Sequence, residues 1–115
     1  MKKFFHKNQK FISIRELNSK QHHSVNKDIW WYHISSPSNL NLNDIIVLNL
    51  YDTEHIHLLK KFEISLNEIW LNRILRASTH FQDDIEICKI HIQKNHGENK
   101  YLIYFGRKED GVYYL

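Results

Sequence analysis

Nine histidines are the first candidates for chemistry in this chain. His55 and His57 stand two apart in residues 55–62 (HIHLLKKF), a stretch that reads as a strand. Alternate strand residues point the same way, so the two imidazoles would share a face and offer two ligands to a metal. Further ligands would have to come from Glu63 or His91. No C-x-x-C or H-E-x-x-H spacing accompanies the pair. Two histidines on a solvated strand face are therefore the plainer account, and no metal or cofactor is expected.

Residues 84–93 (DIEICKIHIQ) alternate apolar and polar, but the phase slips: Ile85 and Ile87 are odd, Ile90 and Ile92 even. A β-bulge at Cys88-Lys89 would bring the isoleucines onto one face. Asp84, Glu86, Lys89 and His91 would then share the other. Two carboxylates and a lysine so placed could hold Mg²⁺ and orient water for phosphodiester cleavage. The competing account is the polar outer face of a half-buried strand.

A metal-free ribonuclease needs a general base, a general acid and a cation for the charged transition state. His80 with Arg73 and Arg76 is the set this sequence offers. The arginines are three apart and so neighbours on a helix surface. They serve equally as ordinary cations at a helix C-terminus. His33 and Ser35 are too close in sequence for a nucleophile–base pair of usable geometry. Cys88, the one cysteine, reads as a small buried hydrophobe. A lone cysteine permits no internal disulfide and suits a reducing cytoplasm.

Trp30, Trp31 and Tyr32 have a different use. Such residues fill cores, anchor protein interfaces and stack on single-stranded bases. Their strand carries no interleaved Lys or Arg, which ranks a nucleic-acid platform behind core and protein interface. The positive charge sits elsewhere. Lys2, Lys3, Lys7 and Lys10 make residues 1–10 a basic arm, and the remaining 12 basic and 13 acidic side chains nearly cancel. The arm suits nucleic acid or an acidic partner, and equally a solvated terminus that aids solubility.

The elements that must position these groups follow from periodicity. Residues 64–78 (ISLNEIWLNRILRAS) give the one convincing helix. Ser65 and Glu68 form the S-x-x-E capping box, and Ile64 and Ile69 a hydrophobic staple. Leu66, Trp70, Leu71, Ile74, Leu75 and Ala77 share its apolar face. Strands are expected at 11–17, 28–34, 44–51, 55–62, 84–93, 101–105 and 112–115, with 18–27 a polar loop. Residues 28–34 (DIWWYHI) put Trp30, Tyr32 and Ile34 on one face and Ile29, Trp31 and His33 on the other. Short turns favour antiparallel pairing.

The expected fold is α+β: a mainly antiparallel curved sheet or partial barrel of about seven strands, in the order ββββ-α-βββ, packed on one helix at 65–78. The 115 residues make a single domain. No stretch approaches the ~18 apolar residues of a membrane span, and a cytoplasmic location is expected. The wealth of Ile, Lys and Asn suggests an A+T-rich gene, as in phages and mobile elements. With no catalytic constellation, the sequence reads as a small intracellular binding or inhibitory protein that occludes a macromolecular partner, a protein or a second copy of itself. The alternatives are a toxin-type nuclease using His80 with Arg73 and Arg76, and a nucleic-acid-binding module using the lysine arm.

Overall fold

A computed structural model describes residues 12–80 and 85–115. Lys2, Lys3, Lys7, Lys10 and Asp84 lie outside the described residues. In chain order the elements are strands Ile14–Lys20 (β1), His22–His23 (β2), Lys27–Ser35 (β3), Ile45–Tyr51 (β4) and Leu58–Ser65 (β5), the helix Glu68–Arg76 (α1), and strands Thr79–His80 (β6), Glu86–Asn95 (β7), Leu102–Phe105 (β8) and Tyr113–Tyr114 (β9). The fold is α+β, mostly strand, as expected. It is not one sheet or a partial barrel. Two open sheets share the chain, one in the order β1-β4-β5 and one in the order β2-β3-β7-β8-β9, with β6 also on β7.

The first sheet contains a parallel pair. Strand β1 runs parallel to β4, with Ile14 opposite Ile45 and Lys20 opposite Tyr51. The chain leaves β1, builds β2 and β3 in the second sheet, and returns through residues 36–44. A parallel pair needs such a crossover. Strand β4 (IIVLNLY) is central in its sheet and buried along most of its length, which accounts for its nearly continuous apolar run. Asp44, also buried, holds the entry to β4 by accepting from the Ser13 and Asn41 N–H groups at 3.1 and 2.9 Å.

The core lies between the sheets. Trp30, Tyr32 and Ile34 of β3, Cys88, Ile90 and Ile92 of β7, and Ile103 and Phe105 of β8 meet Ile46, Leu48, Leu50 and Ile64 of the first sheet. Two polar tips cross this core and are satisfied. The Trp30 indole donates to the Tyr51 carbonyl at 2.9 Å, and the Tyr32 hydroxyl to that of Asn49 at 3.0 Å. At the seam, β1 and β3 join through side chains rather than a ladder. The Arg15 guanidinium donates to the Ser35 carbonyl at 2.6 Å, and the Trp31 N–H to Ser19 Oγ at 3.1 Å.

Three local expectations are corrected. The helix starts at Glu68, capped by Asn67, whose side-chain oxygen accepts from the Trp70 N–H at 2.9 Å. Ser65 instead ends β5 opposite Ile45. Ile64 and Leu66 are both buried, and burying residues two apart requires extended chain. Ile69 is left exposed, so no staple forms. In β7 there is no bulge: its register with β3 runs unbroken from Ile87 opposite Ser35 to Asn95 opposite Lys27. Cys88, Ile90 and Ile92 face the core, and Ile85 is exposed instead. Residues 18–27 are not wholly loop, because β2 pairs with β3 there.

Helix α1 closes one end of the core. Ile74 is fully buried, and Trp70 meets Phe105 and Tyr113 edge-on. The turn after β8 passes directly beneath the helix end. A side chain at Gly106, with φ +69°, would stand 3.4 Å from Ala77 Cβ. Among the described residues no helix is long and apolar enough to cross a membrane.

Candidate functional site

The face of the second sheet turned away from the core carries an unusual set of side chains. The unbroken register of β7 decides it. Trp31 lies opposite His91, and His91 opposite Tyr104, so three adjacent strands present one row of rings. The Trp31 side chain is on the outer phase of β3, and the residue is 47% exposed. His22 of β2 stacks on it, ring centroids 4.0 Å apart and planes 14° off parallel. His91 stacks on Tyr104 at 4.6 Å and 6°.

Cations surround this row. Lys89 lies opposite His33, one step along the face from His91. The Lys108 ammonium sits 5.8 Å from the Tyr104 ring centre, and that of Lys100 sits 5.2 Å from Tyr114. Beside Trp31 opens a shallow groove of about 340 Å³, bounded by Leu17, Asn18, Tyr32 and His33.

Among the described residues, two buried polar atoms of β7 on this side of the sheet have no hydrogen-bond partner: His91 Nδ1 and Gln93 Oε1. Such atoms are uncommon in folded proteins because each carries an uncompensated desolvation cost. Burial, with Lys89 and His33 adding to it, holds the His91 imidazole below its ordinary pKa. The ring is therefore neutral at neutral pH, with one nitrogen a donor and the other an acceptor. Burial pushes the Tyr104 hydroxyl up, and Glu109 adds to the shift.

The side chains singled out in the sequence fall in different places. Trp30 and Tyr32 are core; of the three aromatics only Trp31 is available. His55 and His57 are in the turn before β5, not on the strand. His55 takes φ 62° and packs its ring on Tyr51, while Asp52 accepts the Ile56 N–H at 2.8 Å to close the turn. Glu86 and Lys89 lie on opposite faces of β7, since no bulge shifts their phase. The Glu86 carboxylate accepts from the Ser38 N–H at 3.0 Å, and that bond holds it below its ordinary pKa. Arg73 and Arg76 line a cavity of about 320 Å³ with Phe105, Asp110 and Tyr113. The Arg73 guanidinium lies 3.5 Å from the Tyr113 ring centre. His80 is exposed on β6, paired with Glu86, and does not line that cavity.

A second cluster was not visible in the sequence. His23, Asp28 and His96 bring three ligand atoms within 4.8 Å of one another, from β2, β3 and the loop after β7. Their separations of 5 and 68 residues follow no linear motif. The ring row was hidden for a similar reason. Its rings alternate along three strands, and its cations come from β7 and from the loops flanking β8. No protein-family model, curated protein or solved structure matches the chain, so its function rests on the chemistry of these faces.

Proposed function

We propose that this protein is a binding module that holds single-stranded nucleic acid on the outer face of its second sheet. The observation that carries this reading is the row Trp31–His91–Tyr104 with Lys89, Lys100 and Lys108 around it. Unpaired bases stack on exposed rings, and ammonium groups at the rim attract the phosphates. A duplex buries its base faces and cannot use the row.

Labelled oligothymidylate or oligouridylate, followed by fluorescence anisotropy, tests the reading. Binding is expected at low salt, with duplex of equal length bound more weakly. Trp31→Ala should weaken it by about 1–3 kcal/mol, roughly 5- to 150-fold, the value of one stacked base. Trp31→Phe should restore most of the loss. Equal affinity in the wild type and Trp31→Ala, or a preference for duplex, overturns the reading.

A second reading, an occluding protein that docks on a protein partner or a second copy, is favoured by the edge strand β5. Among the described residues β5 pairs only with β4, and it exposes Leu58 and Leu59 beside Ile56. Such an edge can add a strand from another chain. Sedimentation should then show association with concentration that Leu59→Lys removes. A monomer at all concentrations leaves only a foreign partner for this edge.

A further inference from the structure

The His23–Asp28–His96 cluster has a hydrogen-bond conflict that a proton or a metal ion resolves. Asp28 Oδ1 lies 2.6 Å from His23 Nδ1 and 3.3 Å from His96 Nε2. His96 Nδ1 lies 3.1 Å from the Val25 carbonyl, an acceptor only. That nitrogen therefore carries its proton. In the neutral ring Nε2 then presents a lone pair to a carboxylate oxygen. The contact becomes attractive only when a cation lies between them, either a second proton on the ring or a metal.

The surroundings hold this arrangement in place. The His96 N–H donates to the Asn26 carbonyl at 2.9 Å, so main chain and ring both fix the residue to the β2–β3 turn. That turn is closed by the Ser24 N–H and hydroxyl, which donate to the Lys27 carbonyl at 3.0 and 2.8 Å. An imidazole that gives its far N–H to a backbone carbonyl is the usual outer support of a metal-binding histidine. The His23 and His96 rings stack 4.9 Å apart and converge on one carboxylate oxygen.

We propose that His23 Nδ1, Asp28 Oδ1 and His96 Nε2 bind one zinc-class divalent metal ion. Zinc–ligand bonds of ~2.0–2.1 Å in a tetrahedron place ligand atoms about 3.3–3.4 Å apart. The His96–Asp28 separation of 3.3 Å already fits. The His23–Asp28 separation of 2.6 Å must open, which the His23 side chain, 62% exposed, has room to do. Water completes the fourth position. Two imidazoles and one carboxylate favour zinc or its first-row neighbours over Mg²⁺ or Ca²⁺, which prefer all-oxygen shells. The ion would clip β2 to the loop after β7.

The test is calorimetric titration of untagged, chelator-treated protein with Zn²⁺ near neutral pH. The expected result is one site per chain, of micromolar affinity or better, with Mg²⁺ giving none. His23→Gln and His96→Gln should each weaken it by at least the ~10–100-fold typical of losing even an outer support. His80→Gln, which removes an exposed histidine elsewhere, should leave it unchanged. Imidazole NMR signals of His23 and His96 should shift together as the ion is added. Two results overturn the proposal: no site in the wild type, which leaves a hydrogen-bonded cluster only, or equal binding in His23→Gln, which leaves adventitious histidine binding. Because the His23 ring is mostly exposed, that variant keeps the test open even if His96→Gln fails to fold.

Discussion

His91 is the residue on the outer face where burial and charge act in the same direction. Desolvation, Lys89 and His33 all disfavour its imidazolium, so its pKa is lower in the folded protein than in the unfolded chain. The unfolded state binds the extra proton first. The stability contributed by the neutral ring is complete above the unfolded value, ~6.5, and is lost as pH falls through the lower folded value. Asp28 acts with the same sign in a more acid window, because its folded pKa is also lowered. The acid limb of stability should therefore show two steps. His91→Phe, which keeps a ring on Tyr104, should flatten the first step and leave the second. Urea midpoints measured from neutral pH down to about pH 2 check this; an unchanged first step would show that the His91 ring is not held neutral by the fold.

At the scale of elements, β3 was the most legible. Its alternation places Trp30, Tyr32 and Ile34 inside and Trp31 and His33 outside, as the period of two dictates. Strand β4 was legible from its apolar run. Misreadings came where two signals competed over the same residues. Around Ser65 a good capping box opposed the need to bury both Ile64 and Leu66, and burial of two large side chains outweighs one cap. In β7 the apolar phase slip suggested a bulge, but Ile87 is left half-buried on the outer phase and Ile85, just before the strand, is exposed at little cost, because single exposed apolar residues are normal. The corrected helix start makes a sharp expectation. Asn67→Ala should cost about 1 kcal/mol, the usual loss for an N-cap. Ser65→Ala should stay within ~0.5 kcal/mol, as for a surface substitution. Urea denaturation of the two variants decides it, and the reverse ranking would return the helix start to Ser65.

At the scale of the molecule, pairing between distant segments was the least legible feature. Nothing in β1 announces that it lies parallel to β4, and the candidate binding face exists only because β3, β7 and β8 align. Lys2, Lys3, Lys7 and Lys10 lie outside the described residues, so their part in binding is argued from charge alone. With the rest of the chain near neutral, these four charges would contribute most of any long-range attraction for phosphate. For single strands each neutralised phosphate adds ~0.7 to the slope of log affinity against log salt, so the arm is worth a slope of about 3. Stacking on Trp31 carries little salt dependence. The two contributions are thus separable in one experiment. Changing all four lysines to Gln, with Phe4 and Phe5 kept, should flatten the salt slope by about 3 and preserve the loss caused by Trp31→Ala. Thermal unfolding of the same variant, compared with the wild type, separates loss of charge from loss of fold. An unaltered slope in the charge-removed variant would assign the electrostatics to Lys89, Lys100 and Lys108 on the sheet face and reduce the arm to a solubility feature.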